Sequence, residues 1–282
     1  MMAVTDIGQI RENQEDSVLI LYHPCNPRYK MMAVEDGMGG HFWWEFASQE
    51  IVRQMIKWFE NLPLGYMAAI NENALCTSWA SMLQKINEDI NRKYKTAGST
   101  LVGAIVGDEK TLIASVGDSR CYILGKDNNL YQMTDDDNVA YIEWKTHWDR
   151  YERSVNGRMR RTDIVKKNMQ KDNLRFHKKS NVITNCIGNG TEISNVQFTT
   201  IDNCDYRTLM LFSDGVTDCL SDDQILAITR NTDPRLLAKR IVDMALVTES
   251  NRPDLRGNKD FNTYINAGKD NTSAVIYDGE EK

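Results

Sequence analysis

Apolar residues in this chain fall first into short strand-like runs, then into helical periods, then into strands again. Residues 3–8 are extended, and residues 17–22 (Ser-Val-Leu-Ile-Leu-Tyr) read as a buried strand. Pro24, Asn26 and Pro27 separate it from a second apolar run ending at 31–34. From 44 to 59, Trp44, Ala47, Ile51, Val52, Met55, Ile56 and Phe59 recur at helical spacing. Leu75, Trp79, Leu83, Ile86, Ile90 and Tyr94 repeat that spacing and predict a second helix; the aromatics in both read as core-facing stripes. The period then changes. Residues 101–106, 111–116 and 121–124 predict three strands, the first two joined by a hairpin connection at 107–110. Strand signals return at 182–187, 196–200 and 208–212. Ser221-Asp222-Asp223-Gln224 is a capping box for a short helix. Asp233-Pro234 opens another, with proline at its first helical position and Leu237, Ile241, Met244 and Ala245 as its stripe. A polar loop over 251–269 precedes a closing strand at 272–277.

Residues 135–180 have a different character. Between 145 and 179 there are twelve Lys/Arg against four Asp/Glu, a local net of +8 in a chain whose net charge is -6. Trp144, Trp148, Tyr151, Val155 and Met159 keep helical spacing, so the segment is expected to be a helical insertion with a basic outer face. The plainest reading of that charge is a solvated lid face.

Composition narrows the class. At 282 residues, with 41% hydrophobic and 26% charged residues, the chain suits a soluble globular protein that needs no disulfides for its core. The net charge of -6 gives no global bias towards nucleic acid or an anionic membrane. Six scattered cysteines form no C-x-x-C pair, and four histidines show no H-x-x-x-H spacing, which argues against zinc and against a disulfide framework. Reduced cysteines place the expected location in the cytoplasm. No apolar run reaches the ~18 residues of a membrane span, and no secretory signal is evident. With no repeat and no linker, residues 1–282 read as one domain.

Candidate chemistry lies in the acids. Asp16, Asp36, Asp118, Asp214 and Asp270 each stand at the start or end of a strand-like run, three flanked by glycine and one by asparagine. Any one is explained by a turn. Five in one predicted sheet system argue for a carboxylate cluster, which repels itself unless cations neutralise it. An all-oxygen donor set without histidine or cysteine points to Mg²⁺ or Mn²⁺. Two such ions activate a water for in-line attack on phosphorus. Arg11, near Glu15 and Asp16, is a candidate phosphate clamp through its planar fork; its alternative is a surface salt bridge.

The motifs occur in order: Arg11-x-x-Gln14-Glu15-Asp16, then Val34-Glu35-Asp36-Gly37-Met38-Gly39-Gly40, Gly98-Ser99-Thr100, Gly117-Asp118-Ser119-Arg120, Ser213-Asp214-Gly215 and Asp270-Asn271-Thr272. Together they resemble the metal-dependent, type 2C serine/threonine protein phosphatase family, with the compact look of a bacterial member. The resemblance implies an α+β fold: a four-layer α-β-β-α sandwich of two antiparallel sheets flanked by helices. It implies two Mn²⁺ or Mg²⁺ ions and, in some members, a weaker third. Asp36 resembles the carboxylate bridging both metals, and Gly37 the residue lending its carbonyl. Asp214 and Asp270 resemble the remaining ligands of one ion. Glu15 and Asp16 resemble the acids that hold metal-bound waters, Asp16 being counted with the metal set and Glu15 and Asn271 behind it. Asp118 resembles a third-metal ligand shared with Asp214, and Arg11 the phosphate-binding arginine.

By the same resemblance the chain hydrolyses phosphoserine and phosphothreonine by attack of a metal-activated water, without a covalent phosphoenzyme. Its expected partners are phosphoproteins modified by a serine/threonine kinase. No nucleic acid or membrane partner and no oligomer is expected. Some positions depart from the family. Met38 stands where many members carry a proposed general-acid histidine, and His41 lies three positions on. Gln14 replaces a usual asparagine, and Asp135-Asp136 stands where Asp-His is frequent. The 135–180 segment occupies the family's flap position and is longer and more basic than in minimal members. Met38 leaves open a non-catalytic regulatory module on the same fold. A nucleic-acid binder using the basic stretch lacks a recognition motif.

Overall fold

In the computed structural model, described for residues 1–39, 44–68, 72–251, 257–262 and 264–280, the chain opens with β1 (Met2–Asp6), β2 (Ser17–His23), β3 (Asn26–Glu35) and β4 (Gly37–Gly39). Three helices follow, α1 (Trp44–Glu60), α2 (Leu64–Ala68) and α3 (Glu72–Lys93). Then come β5 (Ala97–Ser99), β6 (Leu101–Val106), β7 (Lys110–Val116), β8 (Arg120–Gly125) and β9 (Leu130–Gln132). The flap holds α4 (Val139–Ser154) and α5 (Arg161–Asp172). The last part runs β10 (Ile187–Gly188), β11 (Gln197–Asp202), β12 (Tyr206–Phe212), α6 (Asp214–Thr217), α7 (Asp222–Arg230), α8 (Pro234–Val247), β13 (Ser250–Asn251), β14 (Tyr264–Ile265) and β15 (Thr272–Asp278).

Two five-stranded antiparallel sheets carry the fold, in the orders β1-β15-β12-β8-β9 and β11-β7-β6-β3-β2. Alternation along the strands sets the layers, because successive side chains point to opposite faces. On β3, Met32 and Val34 turn inward to meet Val102, Ala104 and Ile113 of their own sheet and Ile123, Leu209, Leu211 and Val275 of the other. Met31 and Ala33 turn outward onto α1 and α3, against Ile51, Met55, Leu83 and Ile86. The second sheet repeats this: Met210, Phe212, Ala274 and Ile276 face α7 and α8 through Ile225, Leu237, Ile241 and Ala245. Each fully buried aliphatic of this size contributes roughly 1.5–3 kcal/mol. The result is the expected helix–sheet–sheet–helix order.

Helix ends follow their sequence signals. Ser221 Oγ accepts from the Gln224 amide at 3.3 Å and the Gln224 side chain accepts from the Ser221 amide at 2.9 Å, closing the capping box of α7. Asp233 caps α8 with Pro234 at the first helical position.

Three expectations fail locally. The helical spacing of Trp144 to Met159 is not one helix: α4 stops at Ser154, and Asn156 (φ 50°) and Gly157 (φ 73°) turn the chain left-handed before α5. Val155 and Met159 therefore leave the stripe. Only Ile187 survives of the strand expected at 182–187. There the Asn185 amide donates to Asp137 Oδ2 (2.8 Å) and to the Asn195 carbonyl (2.7 Å), holding an irregular path. Finally, Ala97–Ser99 and Gly37–Gly39 form a small sheet with β10, in the order β10-β5-β4, where only motif glycines were evident.

Candidate active site

The strand ends on one side of the two sheets converge on an open cleft of about 560 Å³. Arg11, Glu15, Asp36, Gly37, Asp118, Asp214 and Asp270 all line it, so seven of the nine sequence candidates come together. Asp16 and Asn271 lie beneath it. Met38 also lines the cleft. His41 falls outside the described residues.

The backbone at Asp36 is fixed by the Gly98-Ser99-Thr100 motif. The Asp36 amide donates to Thr100 Oγ1 at 3.2 Å. Its carbonyl accepts from Ser99 Oγ (3.0 Å) and from the Thr100 amide (2.9 Å). Thr100 Oγ1 in turn lies 2.7 Å from Ser119 Oγ, tying β5 to the turn that carries Asp118. In that turn Gly117 has φ 101°, and a Cβ there would stand 2.7 Å from the Thr100 side chain. Glycine is required by both facts.

Asn271 ties the N-terminal loop down. Its Oδ1 accepts from the Glu15 amide (2.7 Å), and its Nδ2 donates to the Ile7 and Asn13 carbonyls (2.9 and 3.0 Å). Below, Ser213 Oγ donates to Asp16 Oδ2 at 2.9 Å. The chain then enters α6, which starts at Asp214. A Cβ on Gly215 would lie 2.0 Å from the Asn271 carbonyl oxygen. Gly215→Ala is thus expected to push the α6 start away from β15 and to lower stability by roughly 3 kcal/mol. A urea midpoint equal to that of the unaltered chain would contradict this.

The electrostatics are those of crowded carboxylates. Burial, then Asp16, Asp214, Asp270 and Asp118, raise Asp36 well above the usual carboxylate range. Burial, then Asp270, Asp218 and Asp118, do the same to Asp214. Asp118 is pushed up to about 8 by burial and by Asp136 and Asp218, against Arg120. Asp16 rises to about 6, chiefly by burial. Two cations moderate the rim. Arg11 Nη2 donates to Asp270 Oδ2 at 2.7 Å, with its other terminal nitrogen 3.8 Å from Glu15. Lys269 Nζ donates to Asp218 Oδ2 at 2.8 Å. Burial alone would lower Lys269, but Asp218, Asp214 and Asp270 outweigh it and hold it up to about 12.

Sequence reading missed Asp218 and Lys269. The signal for Asp218 was its spacing: four residues after Asp214, it falls on the same side of a helical turn. Arg120, flagged only as part of a motif, forms a partly buried bidentate pair with Asp136 (2.8 and 2.6 Å) behind Asp118.

Donor chemistry suits hard cations. Every acid in the cluster offers oxygen, and buried Asp16 Oδ1 has no hydrogen-bond partner. Among the described residues, however, no three acids, histidines or cysteines stand at ligating distance around one point.

Glu35, beside Asp36 on β3, is a separate matter. It is fully buried and neither carboxyl oxygen has a partner. Burial first, and Asp16 second, raise its pKa well above the usual range. Glu35→Leu is expected to raise stability by about 2 kcal/mol, because a polar group without a partner is replaced by an apolar one of similar size. A lowered thermal midpoint would show that Glu35 makes a stabilising contact.

Carboxylates lining a cleft at the ends of two packed antiparallel sheets are a donor set for hard divalent cations. Residues 14–248 match the family model described as "Protein phosphatase 2C", and the chain belongs to that family of metal-dependent protein phosphatases. It is similar to "Serine/threonine phosphatase stp" of Listeria welshimeri, 28% identical over 238 residues covering 80% of this chain and 81% of the relative. It is also similar to "Protein phosphatase PhpP" of Streptococcus pneumoniae, 27% identical over 240 residues covering 82% and 84%. The solved structure of serine/threonine phosphatase Stp1 from Staphylococcus aureus shares the fold, with a TM-score of 0.72 at 24% identity over 98% of this chain and 93% of that one. No described helix is long and apolar enough to cross a membrane.

Proposed function

We propose that this cleft binds two Mn²⁺ or Mg²⁺ ions and hydrolyses phosphoserine and phosphothreonine in proteins, undoing the work of a serine/threonine kinase. The observation that carries the reading is Asp36: half-buried at the cleft floor and facing Asp16, Asp214, Asp270 and Asp118, it is favoured as an anion when cations are bound beside it. Asp36, the Gly37 carbonyl, Asp214 and Asp270 are the residues that would hold the two ions, with Asp118 positioned for a third. Asp16 and Glu15 would orient their water shell, and Asn271 holds Glu15 in place. When bound, the ions polarise phosphoryl oxygens and activate water for in-line displacement.

The chain's own residues do the rest. Arg11 reaches the cleft from the rim, and its fork leaves Asp270 for two phosphoryl oxygens when substrate enters. Lys269, held by Asp218, keeps the cleft attractive to a dianion. Met38 lines the cleft but has no proton to give, so it does not protonate the leaving alkoxide. We read the chain as one catalytic domain working as a cytoplasmic monomer. The test is phosphate release from a phosphothreonine peptide with Mn²⁺, with Mg²⁺ and with EDTA. Release that needs either metal supports the reading; equal release in EDTA, or none with any metal, defeats it.

A further inference from the structure

Helix α5 of the flap is twelve residues long and buries none of them. Its inward side is defined by α4. The Trp144 indole N–H donates to the Lys167 carbonyl at 3.3 Å, and the Trp148 indole N–H donates to Gln170 Oε1 at 2.9 Å. The Lys167 and Lys171 ammonium groups lie over the Trp144 and Tyr141 rings. Positions 164, 165 and 169 point elsewhere on a helix so oriented. Ile164, Val165 and Met169 are accordingly 47%, 50% and 59% exposed. A single exposed aliphatic is ordinary; three on one helix face left exposed by the described residues are a surface. Arg161 and Lys166 stand on the same helix and Arg158 just before it, all three exposed. Arg160 and Lys167 are paired with Asp163 and Glu152, whereas those three cations form no ion pair among the described residues.

From α5 the chain passes through a single turn at Leu174–Phe176 to Asn181 and Ile183, which line the catalytic cleft. Anything held on α5 is therefore tethered beside the reaction. On these grounds, and resting on the phosphatase reading above, we infer that the outward face of α5 docks an acidic amphipathic segment of the phosphoprotein substrate, separate from its phosphorylated residue. Aliphatic side chains of that segment cover Ile164, Val165 and Met169, and its carboxylates meet Arg158, Arg161 and Lys166. Docking raises the local concentration of the phosphorylated residue at the cleft. An anionic membrane is a poorer fit. Three aliphatics with no aromatic among them offer little area for insertion, and the chain's net charge of -6 opposes approach.

The probe is a fluorescein-labelled, phosphate-free helical peptide with leucine at i, i+3, i+4 and i+7 and glutamate between. Its anisotropy is titrated with the full chain, with an Ile164→Ser/Val165→Ser/Met169→Ser variant and with an Arg161→Glu/Lys166→Glu variant. Saturable binding that weakens about tenfold or more in each variant is expected. Both variants should hydrolyse a small phosphate ester like the unaltered chain. A phosphothreonine peptide extended by the acidic segment should show a lower KM than the bare peptide only on the unaltered chain. Equal binding by all three proteins, or equal binding of a lysine-substituted peptide, overturns the proposal. So does retention on phosphatidylserine vesicles without peptide binding. If no protein turns over any phosphate ester yet the anisotropy differences hold, the phosphatase reading fails while the docking surface stands.

Discussion

Asp36→Asn is expected to lower turnover on a phosphothreonine peptide by roughly 10³-fold or more, and to raise the stability of the metal-free protein. The two signs follow from the same geometry. Asparagine keeps the shape of the side chain but removes the charge that the paired cations need. The bonds that fix this position are main-chain: the Asp36 amide to Thr100 Oγ1, and its carbonyl from Ser99 Oγ and the Thr100 amide. None depends on the carboxylate. Meanwhile the cost of holding an ionisable carboxyl beside Asp16, Asp214, Asp270 and Asp118 is removed. Catalysis lost through misfolding would lower both quantities together, so opposite movements isolate the chemical role. Steady-state hydrolysis with Mn²⁺ and thermal unfolding in EDTA settle it. Turnover within about tenfold of the unaltered chain would remove Asp36 from the metal set.

The acids were legible because each sits in a turn whose chemistry is local. Asp36-Gly37, Gly117-Asp118 and Asp214-Gly215 announce themselves within three residues, and strand alternation on either side says which end of the sheet they occupy. What supports them was not legible, because it comes from distant chain. Thr100 reaches Asp36 only through the β5–β4 pairing, and Ser213 meets Asp16 across 197 positions. Glu35 ends β3 directly before Asp36, yet pleat alternation sends it to the face opposite Val34. The flap misled for another reason. Its aromatic spacing is helical through Tyr151, and periodicity carries no information about Asn156 and Gly157, whose positive φ angles end the helix. Lys269 was hidden in a polar loop; only the placement of Asp218 just after α6 shows what it does.

The same repulsion makes the stability of the metal-free protein fall as pH rises, and makes metal reverse that trend. Asp16 moves from an ordinary 3.8 to about 6, and Asp118 from 3.8 to about 8. Between those values the folded state binds more protons than the unfolded chain. Their stabilising contribution is thus complete below about pH 4 and is lost as pH climbs through the folded values, by about pH 8. A rise of two units in one carboxyl corresponds to about 3 kcal/mol, so the effect is large beside a typical domain stability. Asp233, lowered to about 2 by Arg235, has the opposite sign, but it acts below pH 4, outside this window. Cations bind the deprotonated acids, so their effect has to grow over the pH range in which the free protein weakens. At a metal concentration a hundred times Kd the gain is about 2.7 kcal/mol. Thermal midpoints in EDTA should therefore drop between about pH 5 and pH 8, while the increment from added Mn²⁺ should increase. A midpoint in EDTA that rises over that interval, or a metal increment independent of pH, would mean that these carboxylates are not held together as a cation site.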